Sequence, residues 1–307
     1  MRSHRSALAY IVSKAITALR EYLPDELYIK LKWWVRYGST PDLKNPRRYN
    51  EKLNWLKLHD HNPLYTTLSD KWLVKERVAS VLGPEHVIPL YGVWDSFDKI
   101  DFDSLPEQFV LKCNHDSGNY IICTDKSTFD YAEARRRLTA SLRRNYYYYS
   151  REWPYKEMRR RILAEKYMAD PVNGYLVDYK FFCFDGKVKA MYITTRPDPH
   201  NPAEQRLDYF DENFNHLPFV KEGHLNADTM PAKPATFDQM KHYAETLSAG
   251  LTQVRVDFYD VGGKIYFGEF TFFSGGGFQP FIPDEWDYRF GELLTLPKEI
   301  PALPTKS

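Results

Sequence analysis

Apolar residues near the start of the chain recur at helical spacing. Leu8, Ile11, Val12, Ala15, Ile16 and Leu19 fall at i, i+3, i+4 and i+7 intervals. Residues 5–60 read as mostly helical, with breaks at Pro24 and from Gly38 to Pro46. Another helix is predicted from Ser69-Asp70-Lys71 to about Leu82, with Ser69 as its N-cap. The pattern then changes period. Short runs rich in Val, Ile, Phe and Tyr predict strands over 86–94, 109–113, 120–124 and 161–168. A basic helix is expected over 128–145, and the four tyrosines of 146–149 have no assigned conformation. After a turn at Asp170-Pro171-Val172-Asn173-Gly174 come strands 176–184 and 188–195, joined by the hairpin signal Asp185-Gly186-Lys187. A Pro-rich polar loop spans 196–205, and a helix is predicted over 237–252. The mixture of helices with antiparallel hairpins makes the class α+β.

The last hairpin carries the most chemistry. Arg255-Val256-Asp257-Phe258-Tyr259 and Ile265-Tyr266-Phe267-Gly268-Glu269-Phe270-Thr271-Phe272 flank a Gly262-Gly263 turn. Strand alternation puts Arg255, Asp257 and Tyr259 on one face, and Phe267, Glu269 and Thr271 on one face of the partner. Two carboxylates set side by side among apolar neighbours need neutralising. A hard divalent cation such as Mg2+ is one neutraliser. A structural salt bridge of Asp257 and Glu269 with Arg255 or Lys264 is the other.

Composition narrows the choice. The 307 residues are 43% hydrophobic and 27% charged, a globular balance sufficient for two or three lobes. Cys113, Cys123 and Cys183 lack metal-ligand spacing and read as buried thiols of a reducing compartment. The nine histidines show no HExxH pattern, which argues against zinc. No run of eighteen apolar residues and no secretory leader is evident, so the expected location is the cytoplasm. Residues 1–50 hold ten Lys/Arg against four Asp/Glu, a net +6, whereas the remainder holds 32 against 37, a net −5. With Trp33 and Trp34 nearby, residues 1–40 are a candidate for peripheral contact with an anionic membrane face. A helical extension packed on the body, with a solvated basic face, is the competing reading. The near-neutral total and the absence of a recognition motif argue against nucleic acid.

Phe109-Val110-Leu111-Lys112-Cys113-Asn114-His115-Asp116-Ser117-Gly118-Asn119-Tyr120 reads as strand, polar loop and returning strand. Its backbone N–H groups could curl over phosphates, and a turn carrying a solvated lysine is the alternative. Taken in order, Ser69-Asp70-Lys71, Val110-Leu111-Lys112, Ala164-Glu165-Lys166-Tyr167, Asp178-Tyr179-Lys180, Arg255-Val256-Asp257 and Gly268-Glu269-Phe270-Thr271 resemble the ATP-grasp superfamily. With Asn45-Pro46-Arg47-Arg48-Tyr49-Asn50-Glu51-Lys52-Leu53 and Arg151-Glu152-Trp153-Pro154-Tyr155, the chain resembles more narrowly the teichuronopeptide-biosynthesis (TupA-like) ATP-grasp group, over about residues 45–297.

That resemblance implies two α+β lobes sandwiching ATP, behind a helical N-terminal extension. It divides the chain into a helical region 1–66, a first lobe 67–170 and a second lobe 171–307. It implies ATP and Mg2+ as cofactors. Lys71 and Lys112 would contact nucleotide, with Lys112 on the α/β-phosphates, and Asn114, His115, Ser117 and Gly118 would belong to the phosphate-covering loop. Glu165 with Lys166, Tyr167 and Met168 would line the adenine and ribose pocket, and Asp178 and Lys180 would reach in from the second lobe. Asp257, Glu269 and Thr271 would hold metal. Arg255, Arg196 and Lys180 would stabilise the reacting phosphoryl or acyl phosphate. Many relatives carry Asn where this chain has Thr271, which leaves a second Mg2+ open, and the usual N-terminal α/β lobe is replaced by helices. The implied activity is ATP-dependent, ADP-forming ligation of an amino acid or amine to a uronic acid carboxylate of a cell-envelope polysaccharide or precursor, through an acyl phosphate. A sugar kinase of the same fold, a glycosyltransferase using Asp101-Phe102-Asp103, and a non-enzymatic nucleotide-binding module are the alternatives.

Overall fold

The computed structural model describes residues 2–170, 173–198, 201 and 204–298. Pro171 and Val172 of the predicted turn, and Pro199, His200, Pro202 and Ala203 of the predicted loop, lie outside the described residues. The chain opens with helices α1 (Arg2–Leu19), α2 (Asp25–Tyr37) and α3 (Tyr49–His59). The breaks fall where Pro24 and Gly38 predicted them. Gly38 takes a left-handed φ of 71° and donates its N–H to the Trp34 carbonyl at 2.8 Å, which closes α2. Helix α2 buries Tyr28, Ile29 and Trp33 together with Ile16 of α1 and Phe278 from the far end of the chain. Leu8, Tyr10, Ile11 and Leu19 of α1 remain exposed.

Helices α4 (Leu64–Ser69) and α5 (Leu73–Leu82) follow. Here the predicted cap is corrected. Ser69 ends α4, and Asp70 starts α5, its Oδ1 accepting the N–H groups of Trp72 at 2.8 Å and Leu73 at 3.2 Å. A carboxylate is the stronger acceptor for such donors. Strands β1 (Leu90–Trp94), β2 (Phe109–Cys113) and β3 (Tyr120–Cys123), helices α6 (Tyr131–Leu142) and α7 (Tyr147–Ser150), and strand β4 (Ile162–Lys166) form the next unit. The sheet runs β1-β4-β2-β3, antiparallel throughout. Ala134 and Leu138 of α6 pack on Phe109, Leu111, Ile162 and Ala164.

The larger sheet uses β5 (Asp178–Phe184), β6 (Lys187–Thr195), β7 (Arg206–Asp211) and β8 (His216–Leu217), then β9 (Val220–Lys221), helix α8 (Phe237–Leu247), β10 (Gln253–Val261) and β11 (Lys264–Thr271). Strand β12 (Phe281–Ile282) pairs with β9, and α9 (Glu285–Leu293) closes the described chain. The sheet order is β11-β10-β5-β6-β7-β8. Both hairpins the sequence predicted are present. Asp185 and Gly186 turn at φ 48° and 70°, and Gly262 and Gly263 at 62° and 84°, the left-handed pair such turns require. One face of the sheet packs Phe181, Met191, Val256 and Phe258 against Phe237, Met240 and Ala244 of α8. The opposite face looks onto the first sheet. The architecture is α+β, as predicted, and the three cysteines are free and buried.

One register detail corrects the sequence reading of the last hairpin. Val256 pairs with Phe270 and Phe258 pairs with Phe267, so Gly268 and Glu269 together oppose Asp257. This bulge resets the alternation. Phe267 turns into the core at 4% exposure, away from the side that Glu269 and Thr271 share. Gly268 permits it, because a Cβ there would lie 3.1 Å from the Asp257 carbonyl oxygen and 3.3 Å from the Tyr259 ring.

Candidate active site

A cleft of about 410 Å3 lies between the two sheets. Lys112 of β2 and the loop 116–120 form one wall, with Lys71 from the turn between α4 and α5. Asp178, Lys180, Tyr192, Arg255 and Glu269 of the larger sheet form the other. Strand pairing sets the order across that wall. Asp257 faces Lys180, Lys180 faces Tyr192, and Tyr192 faces Tyr209, so one row runs from charged to aromatic across β10, β5, β6 and β7.

The charged end is a compact network. Asp257 is fully buried. Its Oδ1 accepts from Arg255 Nε and its Oδ2 from Arg255 Nη2, both at 2.7 Å. Lys180 Nζ reaches the same carboxylate at 2.6 Å and Asp178 at 3.0 Å. Arg255 Nη2 also donates to Thr271 Oγ1 at 2.8 Å and lies 3.4 Å from Glu269 Oε1. Lys71 Nζ is 3.5 Å from Glu269 Oε2 and donates to the Asp116 carbonyl at 2.6 Å. Burial works to raise the Glu269 pKa, but Lys71, Lys180, Arg255 and Lys112 outweigh it and hold the carboxyl down at about 2. Burial likewise works to lower Lys180, yet Asp178 and Asp257 lift it well above the ordinary lysine value.

The donors expected to hold metal therefore meet at one point. Asp257, Glu269 and Thr271 all bond to the Arg255 guanidinium, so the salt bridge with Arg255, not Lys264, is formed. Two carboxylates and a hydroxyl converging on a single cation are the oxygen donor set a hard divalent ion takes. Glu269, 29% exposed, presents its carboxylate to the cleft, whereas Asp257 lies beneath it. Among the described residues no group of three or more His, Cys, Asp and Glu side chains could hold a metal ion.

Other expected residues divide. Ser117, Gly118, Asp178, Lys180 and Arg196 line the cleft. The Arg196 guanidinium lies 4.8 Å over the Tyr175 ring, and its backbone N–H donates to the Tyr175 phenol at 2.8 Å. Asn114 and His115 do not line it, although Asp116 to Asn119 of the same loop do. Asn114 is buried, donating to Asp70 Oδ2 at 2.6 Å and accepting from Arg161 N–H at 2.8 Å. His115 Nε2 lies 3.2 Å and 3.1 Å from the Ser141 and Arg144 carbonyls, and burial pushes its pKa down to about 4. A short polar loop beside a strand hides such struts, because their partners come from distant segments. Lys166, Tyr167 and Met168 are also absent from the cleft lining. Asp101 and Asp103 are exposed in a loop away from it.

Sequence reading missed Lys75. Its Nζ lies 2.7 Å from Glu165 Oε1, while Lys112 Nζ lies 2.5 Å from Oε2. Burial works to raise the Glu165 carboxyl, and the two lysines overcome it and lower the pKa. The signal was present in the four-residue spacing of Lys71 and Lys75. What the cleft offers is a set of cations, Lys71, Lys112, Lys180 and Arg255, drawn from both walls around the carboxylates of Glu269 and Asp178. Such a set binds a polyanion through charge-assisted hydrogen bonds.

Several solved structures resemble the chain. The D-alanine–D-alanine ligase from Bacillus anthracis complexed with ATP shares 15% identity over 67% of this chain and 55% of that one, with a TM-score of 0.39. The N5-carboxyaminoimidazole ribonucleotide synthetase from Thermus thermophilus shares 12% over 72% and 47%, with a TM-score of 0.39. The D-alanine–D-alanine ligase from Helicobacter pylori shares 13% over 81% and 70%, with a TM-score of 0.39. The chain thus spans about half the length of the first two, and likenesses this distant say nothing of its chemistry. No curated protein matches the sequence. The family of TupA-like ATP-grasp proteins matches residues 51–295, and the chain belongs to that family.

Proposed function

We propose that the protein is an ATP-dependent, ADP-forming carboxylate–amine ligase. The observation that carries this reading is the convergence of Lys71, Lys112, Lys180 and Arg255 on one cleft beside Glu269. A triphosphate is the ligand such a set neutralises, and the membership in an ATP-grasp family names the nucleotide. Lys71 and Lys112 would bind it from the first lobe, and Lys180 from the second. Glu269, with Asp257 and Thr271, would hold Mg2+, which when bound neutralises phosphate charge. Arg255 and Arg196 would hold the negative charge that builds as the carboxylate oxygen takes the γ-phosphoryl group and ADP leaves. The amine then attacks the acyl carbon, phosphate departs, the amine loses a proton and the amide forms. The protein supplies positioning and electrostatics rather than a covalent nucleophile.

For the carboxylate we propose a uronic acid of a cell-envelope polysaccharide or its precursor, and for the amine an amino acid. Tyr192 and Thr194 beside Arg196 support a hydroxylated ring bearing a negative charge. The exposed Leu8, Ile11 and Leu19 on α1 support peripheral membrane contact, and no helix among the described residues is long and apolar enough to cross a membrane. Co-sedimentation with anionic vesicles that persists in a Leu8→Ser/Ile11→Ser variant would count against that contact. The catalytic reading is tested by ATP consumption with candidate uronic acids and pooled amino acids, followed by mass spectrometry of the product. An amide adduct with ADP supports it, and a stable phospho-sugar made without amine would favour the kinase.

A further inference from the structure

Helix α3 presents three polar side chains at i, i+4 and i+7, and all three bond to the backbone of one loop. Asn50 Nδ2 donates to the Gln279 carbonyl at 3.1 Å, Asn54 Nδ2 donates to the Gly277 carbonyl at 2.7 Å, and Lys57 Nζ donates to the Gly276 carbonyl. The spacing puts the three on one face of the helix. The loop they grip runs from Ser274 to Gln279, with Gly275, Gly276 and Gly277 all left-handed at φ 61°, 59° and 67°. A Cβ on Gly277 would sit 3.0 Å from Asn54 Nδ2, and one on Gly275 would sit 2.7 Å from Gln279 Cβ. Glycine at 277 therefore lets Asn54 approach the backbone, and glycine at 275 leaves room for Gln279. The far side of the same loop faces the cleft, where Ser274, Gly275 and Gln279 are part of its wall.

Lys57 is the unusual member. It is 3% exposed and forms no direct ion pair among the described residues; burial drives its pKa well below the ordinary lysine value, and the carboxylate whose charge opposes that is Glu152. Its ammonium rests 3.0 Å from Asn54 Oδ1 and 4.4 Å from the Phe278 ring centroid. A methionine would fill similar space without desolvating a charge. What the ammonium adds is strong donors aimed at a carbonyl.

We propose that Lys57 is a positioning residue that, with Asn54 and Asn50, fixes the Ser274–Gln279 wall against which the non-nucleotide substrate lies. The identity of that substrate rests on the ligase reading, whereas the clamp does not. Hydrogen exchange, calorimetry with ATP, and steady-state kinetics on Lys57→Met and Gln279→Ala test it. In Lys57→Met, amides of 274–279 should exchange about tenfold faster, the scale of one lost charged hydrogen bond, while the 253–271 hairpin keeps its protection. ATP affinity should hold, and KM for the carboxylate should rise more than kcat falls. Gln279→Ala should raise the same KM with exchange unchanged. Should Lys57→Met not fold, Asn54→Ala is read the same way. Unchanged exchange at 274–279, acceleration spread equally through the hairpin with loss of ATP affinity, or an unaltered KM in both variants would overturn the proposal. If the wild type turns over no carboxylate at all, the ligase reading fails, and the exchange and ATP results still decide the clamp.

Discussion

Arg255 and Asp257, two residues apart on one strand, form a two-pronged ion pair, with Nε and Nη2 each 2.7 Å from a separate carboxylate oxygen. The same guanidinium holds Thr271 at 2.8 Å and approaches Glu269 at 3.4 Å. One cation thus sits at the focus of three oxygen donors in this wall of the cleft. Asp257 is the structural anchor of the group, and Glu269 is its exposed arm.

Asp257→Asn should therefore cost both fold and function. It leaves Arg255 and Lys180 buried without their shared counter-charge, a loss of roughly 3–5 kcal/mol for a broken buried pair. Thermal unfolding should shift well below wild type, and ATP turnover should vanish. An unshifted melt would show that the pair is not a structural anchor. Glu269→Gln, at the exposed arm, should abolish turnover with a much smaller change in the melt.

The pH dependence of that variant follows from the depressed pKa of the residue it replaces. Glu269 is held at about 2 against an ordinary value of 4.5, so its stabilising contribution is complete above 4.5 and fades as pH falls toward about 2. Wild type should be more stable than Glu269→Gln to urea at pH 7, and the gap should close as the pH approaches 2. A gap that stays constant across this range would contradict the assigned field of Lys71, Lys180 and Arg255.

Lys112→Ala removes one cation from the cleft and leaves Glu165 with Lys75 alone. Loss of a charge-assisted contact should weaken ATP binding by about 1.5–3 kcal/mol, measured by calorimetry. Unchanged affinity would remove Lys112 from the nucleotide site.

Much of the fold was legible because its signals are local. Asp185-Gly186 and Gly262-Gly263 announced their hairpins, and the apolar runs at 109–113 and 162–166 announced their strands. Strands β7 to β9 and β12 and helix α9 went unpredicted, because they are short or draw their stability from packing of Phe219, Phe281, Trp286 and Phe290 across the chain. Within the site, Lys112 was legible as a charge following apolar strand residues, and Arg255, Asp257 and Glu269 from the alternation of the last hairpin, whereas Lys71 and Lys180 were legible only through the order of motifs that resembles the family. The face of Phe267 was not, since a one-residue bulge inverts alternation and only the paired strand reveals it. The buried bonds of the Asn114 and His115 side chains were hidden for a similar reason. Their partners Asp70, Arg161, Ser141 and Arg144 lie far off in sequence.

That bulge makes Gly268 a sensitive position. Gly268→Ala brings a methyl against the Asp257 carbonyl and the Tyr259 ring, at 3.1 Å and 3.3 Å. Overpacking of this kind should destabilise by about 1–3 kcal/mol and, by shifting Glu269, lower kcat. A chemical-denaturation midpoint and turnover both equal to wild type would show that the hairpin accommodates the methyl freely.

In the proposed reaction this cleft activates a carboxylate by phosphorylation. Hydroxylamine trapping tests it most directly. Wild-type protein with ATP, Mg2+ and a uronic acid should yield a hydroxamate with matched release of ADP and phosphate, and Arg255→Ala should lose it. A stable phospho-sugar in place of the hydroxamate, or turnover that requires a nucleotide-sugar and no ATP, would contradict the account.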